Sequence, residues 1–171
     1  KHAEDDFINA SLIIFGGSSE KSFQSIANIY TNFTRSISTD YIYTDVIAAS
    51  LIKYSINSFL AVKVTFFNEL HDVFKLSNTN ESWDKFINAI SKDARIGSSH
   101  MNVPGHDGRK GYGGACLPKD SNAFFLYSDN LNSPLNLLKN TININNNIRK
   151  LYNSETTREK EQNIKFQGDD N

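Results

Sequence analysis

The only cysteine of this chain, Cys116, lies in the glycine-rich stretch GYGGACLPKD at residues 111–120. Pro118 suits the first turn of a helix, because its missing N–H costs nothing at that position. Cys116 would then lie at the positive end of the helix dipole with Lys119 nearby, and both features favour the thiolate over the thiol. Asp120 follows four residues after the cysteine and can orient or deprotonate a water. The stretch therefore predicts a nucleophilic thiol.

The alternative is that Cys116 is a small buried hydrophobe, which is the commoner role of a single cysteine in a soluble chain. Three of the five residues before it are glycines. A structural cysteine has no need of them, whereas a reacting one needs backbone that can come close to a substrate. The glycines therefore favour the reactive interpretation.

A long helix is predicted over residues 45–75, with Thr44 as its N-cap. Apolar residues occupy nearly all of its faces, so we expect it to be buried from several directions, as in a subunit interface. Lys53 and Asn57 are four residues apart and share one face. Without further evidence, Lys53 would extend its ammonium to solvent and Asn57 would make a tertiary hydrogen bond. A functional role for this polar pair is the other hypothesis.

The remaining pattern gives a mainly α architecture after a short α/β segment. The run LIIF at 12–15 predicts a buried parallel strand, and Ser18 or Ser19 can cap a helix that ends near residue 33. A second strand at 41–43 would complete a βαβ unit. Further helices are predicted at 82–92 with Ser82 as N-cap, after Pro118, and from 133 or 134 to 152. A long loop is predicted at 96–114 and a disordered polar tail at 153–171.

Three stretches of the sequence resemble one family. GYGGACLPKD is similar to the cysteine signature of the nucleotide-sugar dehydrogenases, the family of UDP-glucose 6-dehydrogenase and GDP-mannose dehydrogenase. Residues 49–70 resemble that family's long central helix, which carries a Lys-x-x-x-Asn pair and an F-x-N-E segment. Residues 93–97, DARIG, match its D-x-R-I-G segment. The resemblance covers roughly residues 1–152 and is closest to the UDP-glucose branch.

The resemblance implies a division into three parts. Residues 1–43 would be the end of the NAD-binding, Rossmann-like α/β domain, and residues 44–152 the helical dimerisation and catalytic-cysteine domain. Residues 153–171 would be the tail. We therefore expect a homodimer formed through the helix at 45–75.

The implied reaction is a two-step oxidation of the C6 alcohol of a nucleotide-sugar, from UDP-glucose to UDP-glucuronate. Cys116 would add to the intermediate aldehyde, and the resulting thiohemiacetal would become a thioester that water hydrolyses. By the resemblance, Lys53 and Asn57 would stabilise negative charge on the sugar oxygen, and Asp120 would position or activate the water. The sugar itself stays open between UDP-glucose, UDP-N-acetyl-mannosamine and GDP-mannose.

The resemblance also implies a set of substrate-binding residues. Arg95 would reach a nucleotide-sugar bound by the neighbouring subunit, and His100 would lie near the base, although it replaces the aromatic residue of well-known members. Gly113 and Gly114 would bring backbone N–H groups close to the sugar or phosphates. Lys119 completes the set.

Two features of the family have no counterpart in this sequence. No G-x-G-x-x-G turn follows a strand, and the family's P-E-F-L-x-E motif would lie just upstream of Lys1. We therefore expect a middle segment of a longer enzyme, inactive when isolated, with NAD bound mainly by an N-terminal domain. The alternatives are a non-enzymatic dimerisation module and a redox protein that uses Cys116 alone.

Composition narrows the other possibilities. A formal net charge of −1 implies no field for binding nucleic acid. No uninterrupted apolar run approaches the ~20 residues of a membrane span, and one cysteine can form no internal disulfide, so we expect a cytoplasmic protein without a membrane partner. His2, His71 and His106 have no metal-like spacing with Cys116, and we expect no metal site. Asparagine is abundant at 130–147, and a nucleotide bias of the gene explains this abundance as well as a function would.

Overall fold

The computed structural model describes residues 3–37 and 40–166. The chain divides into two compact units, Lys1–Lys53 and Tyr54–Asn171. The first unit extends ten residues beyond the predicted boundary at residue 43, because the start of the long helix packs on the strand that precedes it. A Cβ built on Gly16 would lie 2.8 Å from the Cβ of Ala49 and 3.1 Å from the Cα of Val46.

The first unit contains α1 (Ala3–Ile8), β1 (Leu12–Gly16), α2 (Glu20–Phe33) and β2 (Asp40–Thr44). The two strands pair in parallel with Leu12 opposite Asp40, which confirms the predicted βαβ unit. Ser19 is the N-cap of α2 and accepts a hydrogen bond from Ser22 N at 3.2 Å. Aromatic rings in mutual contact line the helix side of the sheet: Phe7, Phe15, Phe23, Tyr30, Tyr41 and Tyr43.

The long helix α3 spans Val46–Leu76, within one residue of the prediction at each end. The predicted cap was wrong: Thr44 ends β2, and Asp45 caps the helix instead. Its Oδ1 accepts hydrogen bonds from Ile47 N and Ala48 N, both at 2.9 Å. The carboxylate also places negative charge at the positive end of the helix.

The length and composition of α3 would also admit a membrane span. An 18-residue window has a mean hydropathy of 1.3, and 17% of that window is buried. No uninterrupted apolar run in the sequence approaches the length of a membrane span. The window in α3 reaches its mean hydropathy of 1.3 although polar residues interrupt it. One such helix is weak evidence for a membrane, because a core helix of a soluble protein passes the same test.

The second unit contains the rest of α3 and four further helices: α4 (Trp83–Ser91), α5 (Cys116–Asn130), α6 (Asn136–Arg149) and α7 (Thr157–Glu161). Ser82 caps α4 as predicted, accepting from Lys85 N at 3.2 Å. Helices α5 and α6 pack on each other. The apolar core joins α3, α4 and the loop before the cysteine stretch through Phe67, Ile87, Met101 and Val103, with Leu70, Trp83, Phe86 and Ile90 against it.

The segment after Asn153 differs from the predicted disordered tail. Thr156 and Glu159 form a capping box at the start of α7, and Glu159 is 1% exposed. The sequence showed no apolar periodicity here because a buried carboxylate, paired with Arg149, anchors the segment. Residues 167–171 of the predicted tail lie outside the described part of the chain.

Candidate active site

Two buried asparagines hold the start of the cysteine stretch. Gly111 N donates to Asn68 Oδ1 of α3 at 2.9 Å. Asn145 of α6 accepts from Tyr112 N at 2.7 Å and donates to the Tyr112 carbonyl at 3.0 Å. These side chains satisfy backbone groups that an irregular, buried loop cannot pair within itself.

An ion pair lies directly behind the next two glycines. A Cβ on Gly113 would collide with the Arg149 guanidinium and lie 2.5 Å from Glu159 Oε1, so only glycine fits there. Gly114 has a φ of +73°, and its N–H donates to Glu159 Oε1 at 3.3 Å. Packing and backbone conformation therefore require these glycines here. Their part in binding a substrate stays a prediction.

Cys116 is exposed and is the first residue of α5. Ala115 occupies the N-cap position and provides no side-chain hydrogen bond to the helix. Pro118 lies in the first turn, as predicted. The thiol is thus open to solvent at a helix N-terminus with no side-chain cap at the N-cap position, which matches the setting that the sequence predicted for a nucleophile.

A polar cluster lies one turn further along α5. Asp120 is 1% exposed, and its Oδ2 accepts from Asn57 Nδ2 at 2.5 Å. Its Oδ1 lies 2.5 Å from Lys119 Nζ, and this hydrogen bond raises the pKa of Lys119. Because residues i and i+4 share a helix face, Asp120 lies below Cys116 on α5. The structure therefore brings Asn57 of α3 together with Lys119 and Asp120 of α5, the helix that begins with Cys116.

Lys53 is the last residue of the first unit, and its side chain is exposed. It precedes Asn57 by about one turn of α3. Its assignment to the reacting sugar oxygen stays a prediction.

Arg95 and His100 lie on the loop that follows α4. The Arg95 side chain is 88% exposed and forms a fork with Asp93, with Nε 2.9 Å from Oδ1 and Nη2 2.6 Å from Oδ2. This pairing lowers the pKa of Asp93 and raises that of Arg95. Lys63 Nζ holds the loop by donating to the carbonyls of Ile96 and Gly97 at 2.9 and 3.2 Å. The part of Arg95 in binding a substrate stays a prediction.

His100 directly precedes the buried Met101. It has a φ of +62° and an exposed side chain. Partial desolvation, followed by the positive charges of Lys63 and His106, lowers the pKa of His100. A neutral imidazole is therefore favoured near neutral pH, which is compatible with the predicted position beside a base.

Sequence reasoning did not single out Asn68, Asn145, Arg149 or Glu159. For Asn145 and Arg149, the helical spacing of the sequence did contain a signal. The buried positions of α6 recur at helical spacing as Leu138, Thr141, Ile142, Asn145 and Arg149, so the asparagine and the arginine fall on the apolar face. Polar residues on a buried face need partners, and here the partners are the cysteine stretch and Glu159.

The β1–α2 turn of the first unit lacks the glycine pattern that cradles a dinucleotide pyrophosphate. The space beside Gly16 is filled by Ala49 and Val46, and the Gly17 carbonyl accepts from Tyr43 Oη at 3.1 Å. A cavity adjoins the turn, but the G-x-G-x-x-G spacing that brings backbone N–H groups onto a phosphate does not occur there. This turn therefore does not match the dinucleotide-binding motif. Within residues 3–37 and 40–166, no group of three His, Cys, Asp or Glu side chains could hold a metal ion.

Comparison with known proteins agrees with the geometry of the site. The model for the UDP-glucose/GDP-mannose dehydrogenase family, central domain, matches residues 47–147, which include α3, the cysteine stretch and most of α6. The chain belongs to this family.

Individual relatives match over most of the chain. UDP-glucose 6-dehydrogenase YwqF of Bacillus subtilis (strain 168) is 34% identical over 146 residues, covering 83% of this chain and 30% of the relative. UDP-glucose 6-dehydrogenase of Rickettsia felis is 31% identical over 144 residues, covering 84% and 30%. The structure of a UDP-glucose dehydrogenase from Pyrobaculum islandicum aligns with a TM-score of 0.69 at 25% identity, over 82% of this chain and 30% of that one. The chain therefore spans about 30% of the length of these relatives.

Proposed function

We propose that this chain is the central segment of an enzyme that oxidises the C6 alcohol of UDP-glucose to the carboxylate, with Cys116 as the nucleophile. The observation that carries the proposal is the placement of an exposed thiol at the start of α5, one turn above the cluster of Asn57, Lys119 and Asp120. The names of the relatives support UDP-glucose as the substrate.

The chemistry assigned to Cys116 is addition to the C6 aldehyde. The thiolate sulfur forms a bond to C6, and the carbonyl oxygen takes a proton to give a thiohemiacetal. The thiohemiacetal then loses its hydroxyl proton to a base or to water and its C6 hydrogen as hydride, which leaves a thioester at the same carbon. Water then attacks it, the C–S bond breaks, and the thiolate and the acid are released. NAD, held by protein outside this chain, would be the oxidant in the step that forms the thioester and in the earlier oxidation of the C6 alcohol to the aldehyde.

The cluster beside Cys116 has roles consistent with its contacts. Asn57 donates to Asp120 and thereby fixes the carboxylate orientation, which leaves Asp120 to position the water that attacks the thioester. Lys53 and Asn57 on α3 would stabilise the negative charge that develops on the sugar oxygen. Arg95, His100, Lys119 and the backbone at Gly113 and Gly114 would bind the nucleotide-sugar, with Arg95 reaching the one held by a second subunit.

The decisive experiment restores the parts that this chain does not supply. The chain replaces the aligned segment of the Bacillus subtilis relative, and UDP-glucose-dependent formation of NADH is followed. Cys116→Ser should lower kcat by at least about a thousandfold, since serine at neutral pH is a far weaker nucleophile. Ala89→Ser, which introduces the same hydroxyl at an exposed position of α4, is the matched control and should retain activity. Normal turnover by the Cys116→Ser variant would refute the assignment.

Without its flanking segments the chain should not turn over. UDP-glucose and NAD added to the 171-residue protein should give no NADH above the rate without enzyme. Measurable turnover by this chain alone would show that it binds the cofactor itself, contrary to the proposal.

A homodimer through α3 forms part of the same proposal. Apolar side chains of the part of α3 that belongs to the second unit remain exposed: Ile56, Phe59, Phe66, Val73 and Leu76. Phe59, Phe66 and Val73 are seven residues apart, which aligns them along one side of the helix as in a helix–helix seam. An exposed stripe of this kind marks an interaction surface and is costly in water.

Sedimentation tests the dimer. Phe59→Asp should shift the protein towards monomer, whereas Leu126→Asp, which introduces the same charge at an exposed apolar residue of α5, should not. A wild-type protein that is monomeric at high micromolar concentration would contradict the proposal. If the chain dimerises but Cys116→Ser stays active in the chimera, a non-enzymatic dimerisation module is the better description. A cytoplasmic location is proposed with both, since a reactive thiol persists in a reducing compartment.

A further inference from the structure

Asn145 differs from the other asparagines of α6 in its burial. The helix carries six of them along the segment NLLKNTININNNIR, and Asn145 is 0% exposed, whereas Asn147 is exposed. Burying a carboxamide is unfavourable unless its donor and acceptor are both satisfied. A specific pairing must therefore compensate for the desolvation of Asn145.

That pairing is with the backbone of Tyr112 on both sides. The Asn145 Oδ1 accepts from Tyr112 N at 2.7 Å, and Nδ2 donates to Tyr112 O at 3.0 Å. Tyr112 lies in no helix or strand. The carboxamide pairs with its N–H and its carbonyl in the way that a neighbouring β-strand would. The orientation of the amide is fixed, because reversing it would place donor against donor and acceptor against acceptor.

The fit between Asn145 and the loop is also steric. Gly111 has a φ of +75°, and a Cβ there would lie 2.6 Å from Asn145 Oδ1. The loop therefore passes directly over the carboxamide, and neither partner can move without the other. Cys116 lies four positions after Tyr112, so the held backbone leads almost directly into the first turn of α5.

We propose that Asn145 is a positioning residue for the thiol. By fixing the backbone of Tyr112, it sets where α5 begins and holds Cys116 at the helix N-terminus, where the N–H groups of the first turn stabilise a thiolate. The proposal rests on the proposed function only in taking Cys116 as the reacting group.

Substitution by aspartate isolates the role of the donor. Asn145→Asp keeps the shape and the acceptor for Tyr112 N, but it places a carboxylate oxygen against the Tyr112 carbonyl. Asn145→Ser removes the carboxamide without adding charge. The matched control is Asn147→Asp, which makes the same chemical change at an exposed position two residues away on the same helix.

The readout is alkylation of Cys116 by iodoacetamide, measured in the 171-residue chain between about pH 6 and 9. The chain has one cysteine, so no other thiol contributes. We expect both variants at residue 145 to react about 3–10 times more slowly than wild type, because the thiolate loses its helix N-terminus. Asn147→Asp should stay within about 1.5-fold of wild type, since its added charge lies on the solvent side.

Circular dichroism and a urea titration on the same samples separate positioning from stability. A residue that only stabilises the fold would lower the urea midpoint and leave the alkylation rate of the folded protein unchanged, which would overturn the proposal. If neither variant folds, hydrogen exchange in wild type decides. The Tyr112 amide should be protected like the amides of α6, and exchange at the rate of an open loop would overturn it. Neither assay involves turnover, so this test and the Cys116→Ser test of the proposed function fail independently.

Discussion

The two units of the chain are stabilised in different ways. In the first unit no described side chain is fully buried, and apolar residues such as Ile29, Phe33 and Ile37 are exposed. In the second unit the buried side chains include more polar than apolar ones, and most of the polar ones pair with each other or with the backbone. The chemistry predicted from the sequence lies mainly in the second unit, where polar groups are removed from water and held in fixed geometry.

This difference indicates what each unit requires. Two short parallel strands and two helices bury too little apolar surface for independent stability, so the first unit should depend on further protein packed against it. Most buried polar groups of the second unit, including the backbone of the cysteine stretch at Gly111 and Tyr112, are paired within the unit. We therefore expect the second unit to be the more stable of the two in this chain, and the following predictions test that difference.

The largest expected effect is in hydrogen exchange. Amides of β1 and β2 should exchange about a thousand times faster than those in the second half of α3, because local opening costs little where few side chains are buried. Mass spectrometry of peptic fragments, or NMR, measures both in one sample. Equal protection of the two units would show that the first unit is held as firmly as the second.

Core and surface phenylalanines of α3 should differ strongly in their effect on stability. Phe67→Ala removes a buried ring from the core and should lower the free energy of unfolding of the second unit by about 3–5 kcal/mol. Phe59 is 68% exposed, and Phe59→Ala should change it by less than about 0.5 kcal/mol in the monomer. Urea unfolding at low protein concentration, where a dimer would dissociate, compares them. Similar losses would indicate that Phe59 is also buried in solution.

Ion pairs allow a matched comparison inside the second unit. Glu159 and Arg149 are both buried, with Oε1 2.5 Å from Nη2, and Glu159→Gln leaves a buried cation short of a partner. We expect a loss of about 3 kcal/mol in the free energy of unfolding. The control Glu81→Gln removes an exposed pair with Lys85 and should cost less than about 0.5 kcal/mol. If the free energy of unfolding falls equally little in both variants, the segment around α7 contributes nothing to the stability of the second unit.

The same carboxylate gives a dependence on pH. Burial opposes ionisation of Glu159, but hydrogen bonds from Thr156 and the charge of Arg149 outweigh it, so its pKa in the folded state is lowered. The group thus stabilises the fold fully above its unfolded pKa of about 4.3, and the contribution is lost as pH falls through the lower folded value. Urea midpoints between about pH 7 and 3 should fall more steeply for wild type than for Glu159→Gln. Parallel curves would contradict this.

The smallest expected effect concerns the start of α3. Asp45→Ala removes the carboxylate that accepts from Ile47 N and Ala48 N, and should lower stability by about 1 kcal/mol. Thr44→Ala, at the position that the sequence favoured as the cap, should cost less. Thermal unfolding of the two variants distinguishes them, and the reverse order would restore Thr44 as the cap.

Local patterns predicted the elements well. Apolar residues recurring at helical spacing placed α3 within one residue at each end, and Ser82 was identified as the cap of α4 because serine before an apolar periodic run is a strong local signal. The cap of α3 was wrong because Thr44 and Asp45 are both good caps, and strand pairing of Thr44 with Gly16 decided between them. That pairing is a contact distant in sequence.

Residues that support the site were harder to predict than those in its motif. Cys116 and Asp120 stand in one recognisable string, and Asn57 shares a second one. Asn145 and Glu159 carry no such string, and their partners lie 33 and 45 residues away, at Tyr112 and Gly114. The sequence gives Asn145 only a place on the apolar face of α6, and it gives Glu159 only a polar segment. It identifies the partner of neither.

The sequence by itself determined helices α2 to α6, the place of the thiol at the start of α5 and the family to which the chain belongs, because these follow from short-range spacing and from motifs of a few residues. The tertiary structure decided which polar residues are buried, that Asn57 meets Asp120, and that Asn145 and Glu159 hold the cysteine stretch from two other helices. The physical reason is that a buried polar group is stable only beside its partner, and the chain fold alone determines which partner comes within hydrogen-bonding distance.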